Sequence, residues 1–185
     1  MSDLQRITTE YVDSEDRIRL CGESAPNQTV VLWLTQRLLN LLVPHMLGWL
    51  EQQTGVSGGI GSDVRAEVVH SFAQQAAMAS MEMQAPVQAH AAQSAWLVHS
   101  VDVTVNQTVV HLTFKGQPSS DQSVTPLDAS VTMQALPLRQ WLSILHEQSR
   151  RAGWVPTSPE AAGPVWPEWI QVRQADSDGR VAVLH

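Results

Sequence analysis

The chain has 185 residues, 43% of them hydrophobic, enough for one domain with a core of its own. Eleven basic and 18 acidic residues leave a net charge of −7, and the largest basic cluster is the pair Arg150-Arg151, so no nucleic-acid groove is expected. Cys21 is the single cysteine, which excludes an intramolecular disulfide framework and a cysteine-based zinc knuckle.

Residues Met1 to Arg6 lack a basic stretch followed by an apolar one, so the chain reads as cytoplasmic. Arg6 to Leu34 is expected to form two or three short strands. Ile7, Thr9 and Tyr11 alternate with Thr8 and Glu10, and Ser14-Glu15-Asp16 supplies a polar turn. In Arg17-Ile18-Arg19-Leu20-Cys21 the apolar Ile18 and Leu20 share one face, and the arginines share the other with Cys21. Ala25-Pro26-Asn27 makes the next turn, and Thr29 to Leu34 is apolar on both sides, as in a covered strand.

Thr35 is placed to cap a helix running from Gln36 to about Gln53. Its two adjacent apolar rows, Leu38-Leu42-Met46-Trp49 and Leu39-Val43-Leu47-Leu50, need cover from the sheet and from another helix or subunit. Thr35, Gln36, Arg37, Asn40, Pro44 and His45 interrupt the run from Val30 to Leu50, so it is not a membrane span. Pro44 should kink or interrupt the helix, leaving a carbonyl that His45 can satisfy.

Thr54 to Gly61 (TGVSGGIG) reads as a flexible linker; it lacks the Gly-Lys-Ser/Thr ending of a phosphate cradle. A second helix is expected from Asp63 to about Met83, with Val64, Val68, Phe72 and Ala76 repeating at i+4 and Pro86 ending it.

Trp96–Val105 and Thr108–Phe114 are expected to pair as a hairpin around Asn106-Gln107. This register sets Val103 beside Val110 and Asp102 beside His111. A strand from about Asp128 to Gln134 follows, then a third helix with Pro137 at its first position and Gly153 closing it. The Pro-rich stretch Trp154 to Pro167 is irregular, and Trp169–Arg173 with Arg180–Leu184 reads as a last hairpin. Residues 17–53 and 108–152 share the order strand, turn or loop, strand, apolar helix, without matching letters. The fold class is α+β: antiparallel sheet elements with about three helices packed on them, as a single domain over residues 1–185.

No pair of the seven histidines has HExxH spacing, and neither a metal set nor a cofactor is expected. Asp102 opposite His111 could form a dyad by raising the proton affinity of the imidazole, but it is read as an ordinary cross-strand pair. Cys21, between arginine-bearing positions, has no identifiable base, so a nucleophile is not expected. Seven tryptophans supply nearly all the aromatic area. Trp33, Trp49 and Trp141 fall at core positions. Trp154, Trp166 and Trp169 are expected to pin the Pro-rich segment to the body.

Glu15-Asp16-Arg17-Ile18-Arg19-Leu20 followed by Leu32-Trp33-Leu34-Thr35-Gln36-Arg37 resembles the opening of a family of small, functionally uncharacterised bacterial proteins, over residues 15–50. That resemblance implies a bacterial origin and carries no catalytic residues. The expectation is a non-catalytic protein-interaction or assembly protein: a homodimer, or a chain with a protein partner, using the first helix or the sheet beside it. It needs no nucleic acid, membrane or cofactor. The alternative is a small enzyme or ligand-binding protein with a site between the sheet and the Trp-rich C-terminal segment. Asp102, His111 and His146 are the candidate side chains there, and a small-molecule ligand is compatible with them.

Overall fold

The computed structural model describes residues 2–25, 28–53, 62–82, 84–89, 95–118, 127–155 and 166–170. Among the described residues, seven strands and three α-helices build an α+β fold: β1 (Ser2–Asp3), β2 (Arg6–Val12), β3 (Arg17–Ala25), β4 (Gln28–Leu34), α1 (Gln36–Gln53), α2 (Ser62–Ala79), β5 (Ala95–Val105), β6 (Val109–Pro118), β7 (Leu127–Gln134) and α3 (Ala135–Arg151). The sheet order is β1-β7-β6-β5-β4-β3-β2, antiparallel except where β1 meets β7 and β4 meets β5. The trios β2-β3-β4 and β5-β6-β7 therefore follow one another in the same order and direction, each ending in a helix, α1 and α3.

The two ends of this sheet meet. Only Leu4 and Gln5 separate β1 from β2, and three residues of extended chain span at most about 11 Å. Leu4 N–H donates to Ser130 O on β7 (2.7 Å) and Gln5 N–H to Glu23 O on β3 (2.8 Å), so the N-terminal strand changes partner and closes the sheet on itself. Further along, α3 packs against both β2 and β7. Tyr11 N–H on the free edge of β2 donates to Gln148 Oε1 of α3 (2.9 Å), and Trp141 Nε1–H donates to Thr9 Oγ1 (3.0 Å). The helix thus occupies the edge that a strand would otherwise leave unpaired.

Alternation sorts the faces. Ile18, Leu20, Leu32, Leu34, Leu112 and Phe114 point inward and are buried. Cys21 and Val31 point outward but are buried under the extended segment 84–89, whose Val87 packs on them. That segment is tied down by Val87 N–H to Thr8 Oγ1 (2.8 Å) and by Arg6 Nη2 to Ala85 O (2.6 Å). Trp33 is a correction: it lies beside Arg19 and Leu97 on the outer face and is only half-buried.

Helix boundaries follow local chemistry. Thr35 Oγ1 accepts from Leu38 N–H (3.3 Å), the expected cap. Pro44 does not interrupt α1, and His45 Nδ1–H donates to Leu41 O (2.8 Å) from an exposed position. α3 starts two residues before Pro137, which costs little because the first N–H groups of a helix have no intrahelical partner. At its C-terminus Gly153 is left-handed (φ 71°), with Gly153 N–H bonded to Arg150 O and Trp154 N–H to Ser149 O. This double closure is the reason for glycine there. α2 ends at Ala79, before Pro86, and Trp169 sits in a 3-10 turn, Glu168–Ile170, instead of a strand. The expected linker at 54–61, and the remainder of the expected last hairpin over 171–185, lie outside the described residues. Among the described residues no helix is long and apolar enough to cross a membrane.

Candidate functional site

The hairpin register differs from the expected one by two residues. Asn106 Oδ1 accepts from both Thr108 N–H (2.8 Å) and Val109 N–H (2.9 Å), which lengthens the loop. Val105 then pairs with Val110, Thr104 with His111 and Asp102 with Thr113. A two-residue shift keeps every side chain on its expected face, so Val101 and Val103 still pack on the core, but it parts Asp102 from His111. Asp102 instead forms an ion pair with Lys115, raising the lysine's proton affinity, and half-buried His111 bonds Thr132 Oγ1 through Nδ1 (2.8 Å). The dyad geometry is absent.

His146 lies on α3 with Trp166 edge-on at 5.1 Å between ring centroids. Burial lowers its pKa, with Glu147 opposing and Arg150 reinforcing that shift. Cys21 is not expected to act as a nucleophile, although arginine neighbours would lower its thiol pKa on an exposed strand. Burial under the 84–89 segment pushes its thiol pKa up instead, and the opposing pull of Arg19 is smaller. Among the described residues, no three His, Cys, Asp or Glu side chains gather as a metal-binding group.

The feature that sequence reading missed is the orientation of α2. Val64 and Phe72 are each 67% exposed and Val68 47%, while His70 on the opposite side is 3% exposed and Gln74 0%. The apolar row at i, i+4 and i+8 therefore faces water, and polar residues face α3. Periodicity finds such a row but does not say which side the rest of the molecule takes. The available signal was Arg139, which interrupts the apolar side of α3 and needs polar company.

Beneath α2 the polar groups form a cluster. Arg139, 4% exposed, donates from Nη2 to His70 Nδ1 (2.9 Å), and its guanidinium lies 5.0 Å from the centre of a Trp169 ring. His70 stacks on Trp169 with centroids 4.8 Å apart and planes inclined by 18°. Gln74 Nε2 donates to Arg139 O (3.2 Å) and Gln140 Nε2 to Ala77 O (2.7 Å), binding α2 to α3. Arg139 Nη1, Gln74 Oε1 and Trp166 Nε1 are buried without a hydrogen-bond partner. Burial lowers the pKa of His70, and the Arg139 charge pushes it the same way. Trp154, Trp166 and Trp169 are all buried, as pinning requires. Trp154 Nε1–H donates to Asp16 Oδ1 (3.2 Å).

Comparison with protein-family models, with curated proteins and with solved structures gives no match.

Proposed function

We propose that the chain is a non-catalytic assembly protein that pairs with a second copy of itself through the outward face of α2. The observation that carries this is the reversed polarity of that helix. Fully burying an aliphatic or phenyl side chain is worth roughly 1.5–3 kcal/mol, so an exposed row of Val64, Val68, Val69 and Phe72 leaves several kcal/mol unused in the single chain. An antiparallel pair of α2 helices centred between Val68 and Phe72 uses the row. Val68 of one copy meets Phe72 of the other, and Val64 meets the smaller Ala76. Arg65, the cation on this face, meets neutral Gln75, so no like charges are opposed. This is the self-complementarity that a two-fold interface requires.

The interface differs from the one expected on α1. Leu39, Val43 and Leu47 are buried within the chain, where β5 of the sheet and the helix α3 both pack on α1. A cytoplasmic homodimer is the form this reading takes, and the resemblance over residues 15–50 supports a bacterial source. Light scattering at micromolar concentration tests it. The wild type should have twice the mass of the 20.4 kDa chain, and Phe72→Glu should return it to one chain. A wild type that stays at one chain mass contradicts self-pairing; Phe72→Glu dimers as tight as wild type contradict the face.

A further inference from the structure

Segment 166–170 rests on the helices through two indoles, each against a histidine from a different helix: Trp169 on His70 of α2 and Trp166 against His146 of α3. The first contact has a protonation requirement. A guanidinium can only donate, so the 2.9 Å bond from Arg139 Nη2 makes His70 Nδ1 an acceptor and the imidazole neutral. A proton at Nδ1 removes that bond. It also sets an imidazolium against a guanidinium in a site nearly closed to water, where two like charges repel strongly.

We infer that His70, Arg139 and Trp169 form a proton-operated latch: with His70 neutral the latch holds segment 166–170 on α2 and α3, and protonation of His70 releases it. The proton comes from solvent to Nδ1, and only hydrogen bonds and ring contacts are broken.

Among the described residues, the charged groups around His70 leave the repulsion uncompensated. From α3, Arg139 faces the ring. From segment 166–170 the ionisable residue is Glu168, which is exposed, and on α2 itself Arg65 and Glu67 are exposed as well. The shift at His70 comes from burial and Arg139, with no carboxylate among the described residues opposing it. Its direction fixes the sign. The folded pKa lies below the ordinary imidazole value of about 6.5, so the released form binds the proton more readily. Closure is fully favoured above that value and weakens as pH falls from there toward the folded pKa. His146 is lowered in the same direction, so its contact with Trp166 is a second anchor that the test must separate.

Hydrogen exchange read by mass spectrometry on the full chain tests the latch, with pH 7.5 and pH 5.0 compared after correction for intrinsic exchange. The expected result is an opening of peptides spanning 166–170 that is more populated at pH 5.0, by a few-fold or more, while β3 and β6 peptides stay unchanged. His70→Gln, whose Oε1 can accept from Arg139 without titrating, should flatten this response, and His146→Gln should keep most of it. If His70→Gln does not fold, Arg139→Gln removes the facing cation and should shrink the response in the same way. Equal opening of wild type at both pH values overturns the latch. So does a full response in His70→Gln, or in Arg139→Gln where that variant is the one used, or loss of the response in His146→Gln alone.

Discussion

A Cβ on Gly116 would lie 2.5 Å from Trp96 Cε3 and 2.6 Å from the carbonyl oxygen of Leu97. Neither neighbour can yield easily: one is a buried indole, the other the backbone of the paired strand. On Gly22 the same atom would lie 2.6 Å from Leu4 Cδ1, the far end of a flexible side chain. Gly116→Ala should therefore cost about 2–3 kcal/mol and Gly22→Ala about 1 kcal/mol, measured by urea unfolding at constant m-value. Equal costs would show that the contact at Leu4 is as rigid as the β5–β6 pair. Single residues also mark where sequence reading stops. Alternation correctly sent Val101, Val103, Val110 and Leu112 inward, because their face depends only on parity. It could not separate two registers of equal parity; the side chain of Asn106 decides between them. Asp102 and His111 were thus read on the right face and with the wrong neighbours.

Among the elements, α1 and α2 make the sharpest contrast. Both bear apolar rows in the sequence, and both span 18 residues. α1 buries its rows because the wide leucine surface meets β5 and α3, whereas α2 presents alanine, His70 and Gln74 to α3 and leaves its valines and Phe72 outside. The helices themselves were legible from caps and breakers such as Thr35 and Gly153. The facing of α2 was not, because it is fixed by Arg139 on a helix more than sixty residues later. The two helices should answer truncation differently. Leu39→Ala should cost roughly 2–5 kcal/mol under conditions where the chain is a single copy, and Phe72→Ala under about 1 kcal/mol there. Chemical denaturation at low protein concentration reads both. A large loss from Phe72→Ala in the single chain would mean that this ring is covered intramolecularly.

For the whole molecule, the closing of the sheet and the openness of α2 are linked. β1 is two residues long and β2 follows after two more, so no periodic signal announced that this short stretch would join both edges. Once joined, with α3 lying along β2, the sheet offers little free edge for partners there, and among the described residues four of the seven exposed large apolar side chains lie together on the outward side of α2. Cysteine placement on that side tests the pairing directly. The native thiol, Cys21, is buried and its pKa is raised, so an introduced cysteine reacts with little competition. Arg65→Cys and Gln75→Cys together in one chain should link two copies rapidly under mild oxidation, since antiparallel pairing brings position 65 of one copy to position 75 of the other and leaves the apolar row intact. Ala66→Cys and Ala73→Cys, toward the α3 side, should not. Rapid dimer-sized product from the first variant and none from the second is the expected result. Equal rates for both, or no linked product from either, would contradict assembly through α2.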